Sequence, residues 1–121
     1  MINLKLSKFD IDCVQSISEV LQFLSGKWTF LVITELLKEP QRFNQLRRNL
    51  GNVNTKGLTD TLRSLEEHQM IKRTVFPTVP VTVEYSITEK GSAFSAIFKE
   101  INRWKHEWES WTPSSSSSKE S

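Results

Sequence analysis

The 121-residue chain has little cysteine and no long hydrophobic run, and these two absences exclude several classes of protein. A single cysteine, Cys13, excludes an intrachain disulfide and is typical of a protein in a reducing compartment. No apolar run approaches the roughly 20 residues of a membrane span. Residues 1–9 also lack the apolar segment and small-residue cleavage site of a signal peptide. We therefore expect a cytoplasmic protein without a membrane partner.

Residues that bind metals or perform catalysis are also scarce. The two histidines, His68 and His106, stand far apart, and no cluster of Cys, His, Asp or Glu has metal-ligand spacing. No glycine-rich loop is suited to holding a phosphate. We expect no metal, no cofactor and no enzymatic activity, with both histidines exposed on helices.

The net charge is only +2, so neither sign of charge predominates overall. The charged residues are nevertheless unevenly distributed along the chain. Between Lys38 and Arg73 the chain carries eight basic residues against four acidic ones. A basic segment inside a near-neutral protein is typical of contact with a polyanion. Solvated helix faces often show the same excess, so this feature alone leaves both interpretations open.

Hydrophobic spacing predicts helices over most of the chain, with one pair of strands. We predict a first helix capped by Asp10 or Asp12 and ended by Ser25-Gly26, and an N-cap at Asn54. The next three helices are predicted at 27–37, 42–50 and 55–69, and the strands at 72–76 and 82–87. Thr88 is predicted to cap a last helix at 89–111. The domain is expected to span 1–112, and the serine-rich tail, 113–121, to be disordered.

Short helices followed by a β-hairpin are the order of a winged helix-turn-helix, an α+β fold that is mostly α. The leucines of the fourth helix are expected to pack inward, which turns the opposite face toward the major groove of duplex DNA. Asp60 counts slightly against this interpretation, because a carboxylate in the groove is repelled unless it accepts from cytosine. The predicted DNA-contacting residues are Arg42, Arg47, Arg48, Asn54, Thr55, Lys56, Thr59, Arg63, Arg73 and Thr78.

The last helix carries apolar residues at alternating intervals of three and four, which is the spacing of a coiled-coil seam. Its tryptophans are predicted to bury against a second copy of the chain, with the first helix as a second contact surface. The residues predicted at this homodimer interface are Val14, Ile17, Leu21, Ile97, Ile101, Trp104, Trp108 and Trp111. The alternative is that the last helix folds back on its own domain.

Several motifs carry a resemblance to one family. They are Lys27-Trp28, RFNQLR at 42–47, LTDTLRSLE at 58–66 and, most specifically, RTVFPTVPVTVEYSIT at 73–88, followed by EKG at 89–91 and Trp104. This pattern resembles the HxlR-type branch of the MarR-like winged-helix regulators. The resemblance implies a homodimeric DNA-binding transcription factor without enzymatic activity, which we expect to be a repressor at a palindromic operator. Two residues depart from the family pattern: Val81, in place of a second proline, and Gly57, in place of a larger apolar residue.

The resemblance also implies a role for Cys13, because several members of this family sense quinones, aldehydes or oxidants through a cysteine at this position. A helix N-terminus would lower the pKa of the thiol, and Asp10 and Asp12 would raise it, so the sequence leaves a reactive and a structural cysteine both open. Two further alternatives are a regulator that responds to a non-covalent small ligand and a winged helix that serves only protein–protein contact.

Overall fold

The computed structural model describes residues 2–113, with their side chains from residue 12 onward. The elements in chain order are α1 (Ile2–Leu24), α2 (Thr29–Lys38), β1 (Gln41–Arg42), α3 (Phe43–Asn49), α4 (Thr55–Glu67), β2 (Ile71–Phe76), β3 (Thr82–Ile87), α5 (Glu89–Ser92) and α6 (Phe94–Trp108). The serine-rich tail that we predict to be disordered lies outside the described residues, apart from Pro113.

The predicted fold class, a mostly helical winged helix-turn-helix, is confirmed. β2 and β3 form the predicted hairpin, in a register that runs from Ile71 opposite Ile87 to Phe76 opposite Thr82. A third strand, the two-residue β1, pairs with the other edge of β3, so the antiparallel sheet has the order β1-β3-β2. β1 was not predicted, since two residues are too few to show an alternating pattern.

The core is built by the inward stripes of α2, α3 and α4 against the base of the hairpin. Its fully or nearly fully buried apolar residues are Val32, Ile33, Leu36, Leu46, Val53, Leu58, Leu62, Leu65, Met70 and Ile71. Burying one such side chain stabilises the fold by about 1.5–3 kcal/mol before cavity effects. The stripe of α4 is the one that the sequence predicted, and it holds the opposite face of α4 toward solvent.

The turn between α3 and α4 shows why α4 begins at Thr55. Gly51 and Asn52 adopt positive φ angles of 83° and 59°, which reverse the chain after α3. The side chain of Asn54 then caps α4 by accepting a hydrogen bond from the Gly57 amide at 2.6 Å, so the predicted N-cap is confirmed.

The first helix begins earlier than predicted. α1 starts at Ile2, and Asp10 and Asp12 lie inside it, so the prediction that one of them caps the helix is wrong. The physical reason is that residues 2–24 contain neither proline nor glycine, so nothing in the covalent chain interrupts the helix before Ser25-Gly26.

The predicted last helix is divided in two. Thr88 caps α5 as predicted, by accepting a hydrogen bond from the Gly91 amide at 3.0 Å. Gly91 lies against Met70, just before β2, and Ile87 of β3, where a Cβ would collide with the carbonyl of Met70. The chain turns at Ala93 before α6, and α6 ends at Trp108, so Trp111 lies beyond the helix rather than at its end.

No single helix among the described residues is long and apolar enough to cross a membrane. The segments Asp12–Leu24 and Thr29–Lys38 reach that length and composition only together, with a 79° bend between them. The second of these segments is α2, the central helix of the core.

A buried polar network joins α2, β1 and α3. The Lys38 ammonium donates to the carboxylate of Glu35 at 2.8 Å. The Gln41 amide donates to the backbone carbonyl of Glu35 at 3.0 Å and to its carboxylate at 3.2 Å, and the Asn49 amide donates to Gln41 Oε1 at 3.0 Å. The hydrogen bond from Lys38 lowers the pKa of Glu35 below its ordinary value of 4.5, against the opposing effect of burial, and Gln41 and Asn49 lower it further.

This network makes stability depend on acid pH. Because the pKa of Glu35 is lower in the folded chain than in the unfolded one, its stabilising contribution is complete above about pH 4.5 and is lost as the pH falls through the folded value. We expect Glu35→Gln to lower the free energy of unfolding at pH 7 by about 1–3 kcal/mol and to flatten its decline below pH 4.5. Urea denaturation across pH measures both effects, with the exposed neighbour changed in Glu39→Gln as the control. Parallel pH curves for wild type and Glu35→Gln would contradict the assignment.

Candidate nucleic-acid interface

The outward face of α4 carries the side chains predicted to read DNA. Lys56, Asp60 and Arg63 are exposed on it, and Thr55 is exposed at its first residue. Thr59 is half-buried toward the hairpin. The Lys56 ammonium lies 3.0 Å from a carboxylate oxygen of Asp60, one helical turn away.

A second set of cations lies where α4 meets the sheet. Arg63 of α4 and Arg73 of β2 line one small cavity of about 200 Å³, together with Glu66 and Tyr85. Both arginines are exposed, as predicted. The fold therefore brings the cations of the reading helix and of the hairpin base onto one continuous surface.

A groove of about 720 Å³ runs between α3 and the end of the hairpin. Arg42 and Arg48 line it, and both are exposed. Asn44 and Gln45 line it as well, although neither was predicted as a DNA contact. They reach the groove because β1 pairs with β3, which places the start of α3 beside the hairpin. These four polar and basic side chains suit contact with phosphates and sugars.

Arg47 differs from its prediction as an outward phosphate contact. Its side chain is half-buried, and its Nε donates to the backbone carbonyl of Val53 at 3.0 Å. Arg47 therefore holds the turn between α3 and α4, because a carbonyl left without a donor there costs free energy. The sequence predicts that Arg47 and Arg48 lie on the same polar face. The two differ in the structure because the chain turns back at Val53, whose carbonyl binds Arg47.

The tip of the hairpin, residues 77–81, carries no charge. The Thr78 hydroxyl donates to the Pro80 carbonyl at 2.7 Å and lies 3.1 Å from the Thr82 hydroxyl oxygen. Thr78 thus organises the tip, and Val79 is its fully exposed residue. Contact between Thr78 and DNA stays a prediction.

The departure at Gly57 has a structural reason. A Cβ at this position would lie 3.1 Å from Asn54 Oδ1 and 3.2 Å from the indole nitrogen of Trp28, which is tighter than ordinary contact. Glycine therefore lets Trp28 pack against the first turn of α4 while Asn54 caps it. The Lys27 ammonium lies over the Trp28 ring, 5.3 Å from its centroid, on the solvent side.

The residues predicted at the dimer interface are unburied in the single chain. Their exposed fractions lie between 45% for Ile97 and 64% for Trp104. α6 contacts its own domain through Phe94 and Phe98, whose rings pack against Phe23 and Phe30. α6 thus folds back on its own domain along the side that carries Phe94 and Phe98. The side that carries the coiled-coil seam stays exposed.

Cys13 is half-buried and lies midway along α1. The prediction that Cys13 lies near a helix N-terminus is wrong, because α1 begins at Ile2. Helical spacing places Cys13 on the side of α1 that carries Ile17 and Val20, at the edge of the exposed apolar face.

Both histidines are exposed, as expected, with His68 at the C-cap of α4 and His106 within α6. The ring of His68 lies 4.4 Å from that of Phe23, between centroids, and its Nδ1 lies 2.8 Å from the carbonyl of Ser64. His106 Nδ1 lies 3.0 Å from the carboxylate of Glu109. Within the part of the chain that the structure describes, no three His, Cys, Asp or Glu residues are grouped to hold a metal ion.

Comparison with known proteins gives consistent results. Residues 23–112 match the HxlR-like helix-turn-helix family. The uncharacterized HTH-type transcriptional regulator YvaP of Bacillus subtilis is 38% identical over 90 residues, covering 74% of this chain and 83% of YvaP. The HTH-type transcriptional regulator YodB of the same organism is 36% identical over 81 residues, covering 67% and 72%.

Solved structures agree with the sequence comparison. The reduced form of YodB from B. subtilis matches with a TM-score of 0.70 at 32% identity, covering 74% of this chain and 88% of that one. YodB has also been solved in a quinone-bound form, which matches with a TM-score of 0.67 at 28% identity and covers 76% and 96%. The redox regulator HypR in its oxidized form matches with a TM-score of 0.67 at 30% identity and covers 76% and 95%.

The family match covers most of the chain, including the capped α4, the hairpin and α6, and the sequence resemblance predicted it. The chain belongs to the HxlR-like helix-turn-helix family of DNA-binding transcriptional regulators.

Proposed function

We propose that this chain is a cytoplasmic homodimeric repressor that binds a palindromic operator, has no enzymatic activity, and changes its DNA affinity when Cys13 is modified by an electrophile or oxidant. The observation that carries the proposal is the pairing of two surfaces on one small domain. One is the basic face of α4, α3 and the hairpin base, and the other is the exposed apolar face of α1 and α6.

The apolar face supports a dimer because its tryptophans stay largely exposed in the described chain, although the rings of Trp108 and Trp111 pack edge to face on each other. Trp104, Trp108 and Trp111 are 64%, 47% and 56% exposed. Buried aromatic side chains remove about 150–250 Å² each from water, and they dominate the energetics of interfaces. A second copy related by a two-fold axis presents the same face and covers these rings reciprocally.

A two-fold dimer presents two α4 helices to DNA. Two reading helices about 34–36 Å apart match half-sites one helical turn apart on one side of the duplex. The operator then shares the two-fold symmetry of the protein, which is why we propose a palindrome. Repression needs nothing beyond occupancy, because a dimer seated on the duplex excludes other proteins from the same site.

Cys13 supports the sensing part of the proposal through its place on α1. It lies one turn before Ile17, which is 52% exposed on the proposed dimer face. A quinone adduct or mixed disulfide at Cys13 adds volume beside that face. The two α1 helices then pack differently, which alters the spacing of the two α4 helices. The related proteins with oxidized and quinone-bound structures, HypR and YodB, are consistent with this chemistry.

The contact of Arg48 with phosphate is tested by salt dependence. We expect Arg48→Ala to weaken binding to duplex DNA uniformly across sequences and to reduce the slope of log K against log salt by about one per subunit, or about two for the dimer. Fluorescence anisotropy against the DNA upstream of the protein's own gene measures this effect. Arg103→Ala removes the same charge from α6, where Arg103 pairs with Glu100, and serves as the control. Equal slopes for the two variants would remove Arg48 from the interface.

The dimer is tested by a charge placed in the seam. We expect the wild type to sediment at twice the chain mass of 14.0 kDa and Ile101→Glu to sediment at the mass of one chain. The reason is that a carboxylate at a buried interface position is desolvated without a partner. Lys99→Glu places the same carboxylate on the opposite side of α6 and should remain dimeric. A monomeric wild type, or a dimeric Ile101→Glu variant, would contradict the interface.

The role of Cys13 is tested by its removal. We expect benzoquinone to abolish most of the DNA affinity of the wild type and to leave Cys13→Ser unaffected, because Cys13 is the single thiol of the chain. Mass spectrometry of the treated wild type should show one adduct per chain. If Cys13→Ser responds fully, the effector binds elsewhere, and the apolar cavity of about 340 Å³ between α1, α2 and α6 is the first place to examine.

A further inference from the structure

We propose that Lys56 and Asp60 act as one unit that reads a C·G base pair in the major groove, once in each half-site. This inference rests on the proposed function, because it requires α4 to lie in the groove. The charges of Lys56 and Asp60 cancel in the net charge of the face, and the inference gives the two residues a shared base preference.

The pair is built on the face of α4 that points away from the core. The leucine stripe of α4 is buried, and helical spacing places Lys56 and Asp60 on the opposite side. The Lys56 Nζ atom lies 3.0 Å from Asp60 Oδ2, and the two side chains are 86% and 56% exposed. Both charged groups are therefore free to approach a ligand together.

Stability gives little reason for this ion pair. Exposed ion pairs contribute little to folding, since water screens them and two long side chains must be ordered. The order along the helix, with the cation before the anion at a four-residue interval, is also the less favourable one. A carboxylate at the centre of a DNA-reading face is moreover repelled by phosphates, so it needs a donor on the DNA.

The major groove offers such donors at the amino groups of cytosine and adenine. In a C·G pair the carboxylate of Asp60 accepts from cytosine N4, and the Lys56 ammonium donates to guanine O6 and N7, which are two adjacent acceptors. In an A·T pair adenine N6 and thymine O4 also offer a donor beside an acceptor. The carboxylate then lies next to the acceptor N7 of adenine, and the ammonium has one acceptor in place of two, beside the thymine methyl. Both members of the pair therefore favour C·G.

The spacing of the protein atoms also matches the base pair. Cytosine N4 and guanine O6 are joined by an N–H···O hydrogen bond, whose length is about 2.9 Å. The Nζ–Oδ2 distance in the protein is 3.0 Å. The ion pair can therefore meet the base pair side by side, with each charged group on its complementary atom, and Lys56 and Asp60 need not separate on binding.

The test is selection of bound duplexes from a randomised DNA library by the full-length wild type and its variants. We expect the wild type to favour C·G at one position of each half-site by roughly 5- to 150-fold over the other base pairs. Asp60→Ala should reduce this preference at that position alone, because the contact with cytosine N4 is lost while Lys56 still donates to guanine. Asp60→Asn should shift it toward A·T, because an amide pairs with N6 and N7 of adenine. This change of preference cannot result from misfolding.

Glu67→Gln is the matched control, since Glu67 is exposed on the same helix and carries the same charge. We expect both charge-removing variants to bind random DNA more tightly, and the control to keep the C·G preference. A wild type without a C·G position, or an Asp60→Ala variant whose C·G preference is unchanged, would overturn the inference while leaving the proposed function intact. If the wild type enriches no sequence and binds no duplex, the proposed function itself has failed.

Discussion

The orientation of α4 depends on the burial of its leucine stripe, and much of the interface depends on that orientation. Leu58, Leu62 and Leu65 are at most 3% exposed, and they pack α4 against α2 and β2. A helix rotates by about 100° for each residue, so fixing one face by burial determines the direction of all the others. The same contact that stabilises the domain therefore selects Lys56, Asp60 and Arg63 as the outward residues.

The polar contacts make this arrangement specific. Asn54 sets the first residue of α4, Arg47 ties the preceding turn to the end of α3, and the network of Glu35, Gln41 and Asn49 joins α3 to α2 and the sheet. Glu35 and Gln41 are buried and Arg47 is half-buried, and leaving such a group unpaired is costly. These contacts hold α3, α4 and the hairpin as one unit. A surface that matches the regular spacing of DNA requires such rigidity.

The helices at the two ends of the domain follow a different rule. α6 has no buried residue, and the apolar face of α1 is equally exposed, although both carry the periodicity of a packed surface. An apolar stripe without a partner inside its own chain is the sign of an intermolecular contact. In the dimer that we propose, the placement of Cys13 at the border of this face would link its modification to the packing of the two copies.

The sequence by itself determined the features that depend on neighbouring residues: the caps at Asn54 and Thr88, the paired strands, the leucine stripe and the family. These are local because capping and periodicity involve residues within a few positions of one another. Tertiary structure decided the rest. It decided that Arg47 binds the Val53 carbonyl, that Gln41 starts a strand beside Tyr85, and that Gly57 makes room for Trp28. Folding brings these partners together. The local spacing of residues along the sequence does not predict which residues become partners.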